Sequence, residues 1–114
     1  MTLEDYNGFC ASLASVSHVV QWGGADVWKV GGKVFAIGGW DDGQALFVTF
    51  KCSPAAYEII KEQPGLIPAP YLASRGMTWI QRRTGESMDD EALKDYLAEK
   101  SPADRRPAAE AGEA

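Results

Sequence analysis

The chain has 114 residues, of which 46% are hydrophobic and 24% charged, and its net charge is −5. That length suits one domain, and the composition excludes a fully disordered chain, a collagen-like repeat and a disulfide scaffold. No apolar run approaches the roughly 18–20 residues that cross a bilayer. The start, MTLEDYNGF, carries two acids and no base where a signal peptide needs positive charge. The expected location is therefore cytoplasmic, with no membrane partner.

The first helix is expected from about Leu3 to Ala14. Thr2 stands in the capping position with Asp5 three residues on. Leu3, Tyr6, Phe9, Cys10 and Leu13 recur at helical spacing and form one apolar stripe. Strands follow. His18 to Trp22 is a short candidate, closed by Gly23-Gly24, and Val27 to Val30 is the next. Gly31-Gly32 is a two-residue hairpin turn, since glycine accepts the positive φ such turns need. Lys33 to Trp40 returns, Asp41 to Gln44 turns again, and Ala45 to Lys51 is the strand after it.

The two loops fix a register on paper. Lys29 then faces Val34, Trp28 faces Phe35, Phe35 faces Phe50, and Ile37 faces Val48. Alternation collects Trp28, Val30, Phe35, Ile37, Leu46, Val48 and Phe50 on one face, which reads as a core under helices. The other face collects Val27, Lys29, Val34, Ala36, Phe47, Thr49 and Lys51 and reads as an open, mixed surface.

Ser53-Pro54 opens a second helix that runs to about Glu62, because serine caps and proline at the first position loses no hydrogen bond. Leu66 to Pro70 reads as extended chain or loop, Tyr71 to Ser74 as a short strand, and Met77 to Arg82 as a strand. The last helix is expected from Ser87 to about Lys100, with acids in its first turn and Leu93, Tyr96 and Leu97 as its buried stripe. After Leu97 no large apolar residue follows, so residues 102–114 are expected to form a disordered tail behind a domain of residues 1–101. Helices on one face of a mainly antiparallel sheet make an α+β two-layer sandwich.

The charge is unevenly spread. From Val27 to Arg83 seven bases stand against four acids, while Glu86 to the end holds nine acids and four bases. A mildly basic middle lies between acidic ends. Cys10 and Cys52 are the only cysteines and His18 the only histidine, so a His-rich zinc site is excluded and free thiols are expected. Gly31-Gly32 lacks the spacing of a phosphate-binding loop. Asp41 and Asp42 are turn acids, and Asp89, Asp90 and Glu91 are helix-start charges. No catalytic constellation, metal site or cofactor site emerges.

The stretches WKVGGKVFAIGGW (Trp28–Trp40), FVTFKCSP (Phe47–Pro54) and PGLIPAPYLASRGMTWIQ (Pro64–Gln81), followed by a C-terminal helix ending in Lys100-Ser101, resemble the MmcQ/YjbR family of small bacterial proteins. The resemblance spans about residues 3–101. It implies the order α-β-β-β-α-β-β-α, a fold also seen in secretion-chaperone-like proteins, and no established enzymatic reaction. It also implies DNA as a partner, through a so-called double-wing arrangement. Lys29, Lys33, Lys51, Tyr71, Arg75 and Trp79 match family positions and are the candidate nucleic-acid or anion-binding residues. Arginine and tryptophan beside a basic sheet suit pairing with phosphate and stacking on a base. The alternative occupant is a protein, either an interaction partner or a second copy, docked on the open sheet face between the lysines.

Overall fold

A computed structural model of the chain describes residues 1–39, 46–70 and 77–99. Its elements are α1 (Leu3–Ala11), β1 (Val16–Gln21), β2 (Ala25–Val30), β3 (Lys33–Gly38), β4 (Val48–Lys51), α2 (Pro54–Ile60), β5 (Leu66–Pro68), β6 (Trp79–Arg82) and α3 (Asp90–Glu99). The six strands form one sheet in the order β1-β2-β3-β4-β6-β5, every neighbouring pair antiparallel. The α+β sandwich expected from the sequence is present. Among the described residues four strands separate α1 from α2, one more than the resemblance implies, and the first of them is the candidate read at His18 to Trp22.

Local chemistry sets the helix ends. Thr2 and Asp5 form a reciprocal capping box at α1. The Ser53 hydroxyl accepts from the Ala56 N–H at 3.2 Å, with Pro54 at the first helical position. The third helix starts later than expected, at Asp90 rather than Ser87. The Asp89 carboxylate accepts from the Ala92 N–H at 2.9 Å and so is the cap. Met88, one residue before that cap, is buried in the same core as Leu93, which anchors the entry to the helix. Lys100 and the tail lie outside the described residues.

The β2–β3 turn is as expected. Gly31 and Gly32 have φ of +59° and +81°, the geometry of a tight hairpin whose twist matches its strands. Lys29 pairs with Val34 and Val30 with Lys33. Beyond that point the expected register fails. Trp28 pairs with Ala36, not Phe35, because a bulge inserts one extra residue into β3. Ala36 then faces Phe50 and Ile37 faces Thr49. A one-residue slip exchanges faces, so Ala36 joins the core beneath the helices and Ile37 crosses to the far side.

The principal core lies between the helices and the sheet. It gathers Tyr6 and Cys10 of α1, Trp28, Phe35, Ala36, Val48, Phe50 and Ile80 of the sheet, and Leu93 and Leu97 of α3. Tyr6 lies on Gly38, where any side chain would collide with its ring, and its hydroxyl donates to the Asp26 carbonyl at 3.0 Å. The Trp28 indole donates to Asn7 at 2.9 Å. A second cluster, Ala25, Val27, Ile37, Ala69 and Trp79, lies on the opposite face. That face was expected to be open, yet Val27, Ile37, Thr49 and Gln81 are all essentially buried.

Of the segment Leu66 to Pro70, expected as extended chain or loop, Leu66–Pro68 is an edge strand paired with Arg82, Gln81 and Ile80. The strand's one proline, Pro68, is tolerable because an edge strand has one side without a ladder. The short strand expected at Tyr71–Ser74 lies outside the described residues.

Candidate anion-binding face

This part of the far face is built by alternation along the neighbouring interior strands β4 and β6. Val48 and Phe50 of β4 point into the helix-covered core, so Thr49 and Lys51 point away. Ile80 of β6 likewise enters that core, leaving Trp79, Gln81 and Arg83 on the far side. Antiparallel pairing sets Lys51 opposite Trp79 and Thr49 opposite Gln81. Phe47 and Arg83 continue the pattern, with the guanidinium 4.8 Å from the ring centroid. The result is a two-by-three block of an aromatic or polar residue beside a cation or a donor.

Its middle is polar and buried. Thr49 is fully buried and Gln81 is 1% exposed. The Arg83 Nε donates to Gln81 Oε1 at 2.7 Å, and Gln81 Nε2 reaches Thr49 Oγ1 at 3.5 Å, the outer limit of a hydrogen bond. The Trp79 indole N–H is buried and has no hydrogen-bond partner. Such a group costs about 1–3 kcal/mol of desolvation when left unmet. The block is therefore rich in donors and short of acceptors.

Lys29 and Lys51 are half-buried and share the far face. Lys29 pairs with Val34, which packs against the far-face cluster. Lys33 is exposed beside the hairpin turn, but it pairs with Val30, whose side chain packs against the opposite core. Two of the three lysines thus share a surface and the third stands at its corner. Trp79 joins them in position, but it is only 5% exposed, so its ring is covered and its N–H is what it has to offer. Tyr71 and Arg75 lie outside the described residues. The apolar patch expected between the lysines shrinks. Ala36 faces the helices, Phe47 is buried, and Val34 alone remains partly exposed.

Sequence reasoning missed Gln81 and Arg83 as members of this surface. Their signal is the spacing Trp79-x-Gln81-x-Arg83. A polar residue in the middle of a strand that is otherwise apolar is a question about partners.

Elsewhere the titratable groups are structural. Burial pushes the Cys10 thiol up to about 12 and the Cys52 thiol up to about 11, the latter helped by the Glu99 charge. Neither is poised as a nucleophile, since the thiolate is the reactive form. Burial also raises the Tyr6 hydroxyl. His18 Nε2 lies 2.8 Å from Asp26 Oδ1, with its ring 4.7 Å from that of Trp28. On the helix side, Arg82 Nη2 meets Asp90 Oδ1 at 2.8 Å, and the Met1 amine meets the other carboxylate oxygen at 3.2 Å. Among the described residues no three His, Cys, Asp or Glu side chains converge to hold a metal, and no helix is long and apolar enough to cross a membrane.

A crystal structure of a protein from Pseudomonas syringae is similar to this chain at a TM-score of 0.72 and 12% identity, covering 92% of this chain and 100% of that one. At that identity the likeness establishes the fold. No curated protein matches. The family model named YjbR matches residues 11–100, from the end of α1 through α3. The chain belongs to the YjbR family.

Proposed function

We propose that this chain is a non-enzymatic binding protein that holds an anionic partner, DNA first among them, on the far face and hairpin corner of its sheet. The observation that carries this reading is that Lys29 and Lys51 share one face and Lys33 stands beside the turn that joins β2 to β3. Tyr71, Arg75 and Trp79 are the further candidates, on their match to family positions. The block supplies hydrogen-bond donors and cations, which hold an anion, and lacks a group placed to take a proton from a substrate.

The acidic ends of the chain keep the contact weak, and its phosphate contacts make it salt-sensitive. Phosphate contacts release counterions, so affinity falls linearly with salt on a logarithmic scale. Titration of labelled duplex and single-stranded DNA at low and physiological salt tests the proposal. The expected result is binding at low salt that weakens on salt addition and is lost in the Lys29→Glu/Lys51→Glu double variant. Absence of binding at low salt, or binding unchanged in that variant, contradicts it.

A second reading, an interaction adaptor or homodimer, is favoured by a different place from the one the sequence suggested. The outer strand β1 is six residues long with no proline or lysine, and Val20 and the adjoining Trp22 are each at least half exposed. Unblunted edges of this kind pair with other chains. A monomer at high concentration, with no protein co-purifying, contradicts that reading.

A further inference from the structure

The buried polar block on the far face does not need the surface lysines to make sense, and it raises its own question. Trp79, Gln81 and Thr49 sit on the paired interior strands β6 and β4, where an apolar packing would be the simplest solution. Instead the Trp79 indole N–H is buried without an acceptor. The Gln81 carbonyl oxygen is engaged by Arg83 at 2.7 Å, while its amide nitrogen makes only a 3.5 Å contact to Thr49. What is short at this place is an acceptor. What stands around it is Arg83 at one end and Lys51 at the other, on the same face.

We infer that Thr49, Trp79, Gln81 and Arg83 form a binding site for a small oxyanion, the carboxylate or phosphate group of a metabolite-sized ligand. An oxyanion brings several lone pairs and a negative charge, the two things this block is short of. Indole, amide and guanidinium N–H groups are donors that bind such oxygens, and hydrogen bonds to a charged acceptor are the stronger kind. A neutral apolar ligand would leave the Trp79 N–H unmet, and a cation would face Arg83 and Lys51. The site adjoins the polyanion surface and shares Trp79 and Lys51 with it, but Thr49 and Gln81 are buried and Lys29 and Lys33 take no part in it.

The test follows the Trp79 indole N–H by proton–nitrogen NMR in the full chain. The signal is assigned by its loss in Trp79→Phe. Inorganic phosphate and sodium acetate are titrated separately at constant ionic strength, with chloride as the reference ion. The expected result is a saturable downfield shift of the Trp79 signal with one or both oxyanions and none with chloride. Phosphate alone acting identifies a phosphorylated ligand, and acetate alone a carboxylate. Gln81→Leu and, as a milder change, Thr49→Val weaken binding about tenfold, the size of one lost hydrogen bond to a charged group. The Lys29→Glu/Lys33→Glu variant keeps the shift while losing DNA, which separates this site from the proposed DNA surface. No shift with either oxyanion, an equal shift with chloride, or a shift unchanged in both Gln81→Leu and Thr49→Val overturns the inference.

Discussion

The two faces of this sheet are buried by different means. On the helix-covered face, Tyr6, Phe50, Ile80, Leu93 and Leu97 meet as apolar surface, and the polar side chains that enter it reach partners, the Arg82 Nε excepted. Tyr6 reaches a backbone carbonyl, and the Trp28 indole reaches Asn7. On the far face the same strands bury Thr49, Gln81 and Trp79, and there an indole N–H goes unmet. Each face leaves one buried N–H unmet, but Arg82 keeps Asp90 through its Nη2 while the Trp79 indole has no partner, which is the fuller departure from the rule that buried polar groups are paired. The departure marks where a partner is expected.

Breaking the helix-covered face has the largest expected effect. Leu97→Ala removes a fully buried side chain from the core, and the expected loss is about 2–5 kcal/mol, measured as the shift of a urea midpoint. Gly38→Ala tests the same face through sterics, since the new methyl collides with the Tyr6 ring. Its expected loss is of order 1–3 kcal/mol from overpacking.

The far face responds differently. Gln81→Leu alone leaves Thr49 and Arg83 without their partner, an expected loss of about 1–3 kcal/mol. Replacing both partners by apolar groups in Thr49→Val/Gln81→Leu is expected to cost less than the sum of the single changes. A double-mutant cycle by chemical denaturation measures the difference. Simple additivity would mean that the pair does not act as a unit.

Two smaller effects sharpen the contrast between buried and surface chemistry. Partial burial works to raise the Asp90 pKa, but hydrogen bonds and charge from Arg82 and the Met1 amine outweigh it, and the net shift is downward. A carboxylate with a lowered folded-state pKa adds stability above its unfolded pKa of about 3.9, which is lost as pH falls through the folded value. Melting temperature should therefore drop below about pH 4 in the wild type more steeply than in Asp90→Asn. Parallel curves would remove Asp90 from the account. At the opposite extreme of pH, the buried thiols of Cys10 and Cys52 stay protonated in neutral buffer, so a thiol reagent at pH 8 should label them slowly in the folded chain and rapidly in urea.

Much of the fold is legible in the residues. Thr2, Ser53 and Gly31-Gly32 each set a local geometry with few alternatives, and all three act as expected. The placement of Lys29 and Lys51 on one face is also legible. Each follows from alternation within its own strand, next to the core residues Trp28 and Phe50. The β3 bulge is not legible. A paper register that joins two loops is self-consistent whether or not one residue is extra, so Ala36 and Ile37 were assigned to each other's faces. Strand β5 hid behind Pro68, which is compatible with an edge and not with a central strand. The donors on β6 were hidden for another reason. The partners of Gln81 and the orphaned Trp79 N–H depend on how β6 is paired, which spacing alone does not state.

Anion binding on the far face of the sheet is tested by mapping a short DNA duplex titration onto the backbone amides at low salt. The largest shifts are expected around Lys29, Lys33, Lys51 and Trp79, fading together as salt rises. Shifts confined to α1, α2 and α3, or none at all, would contradict it.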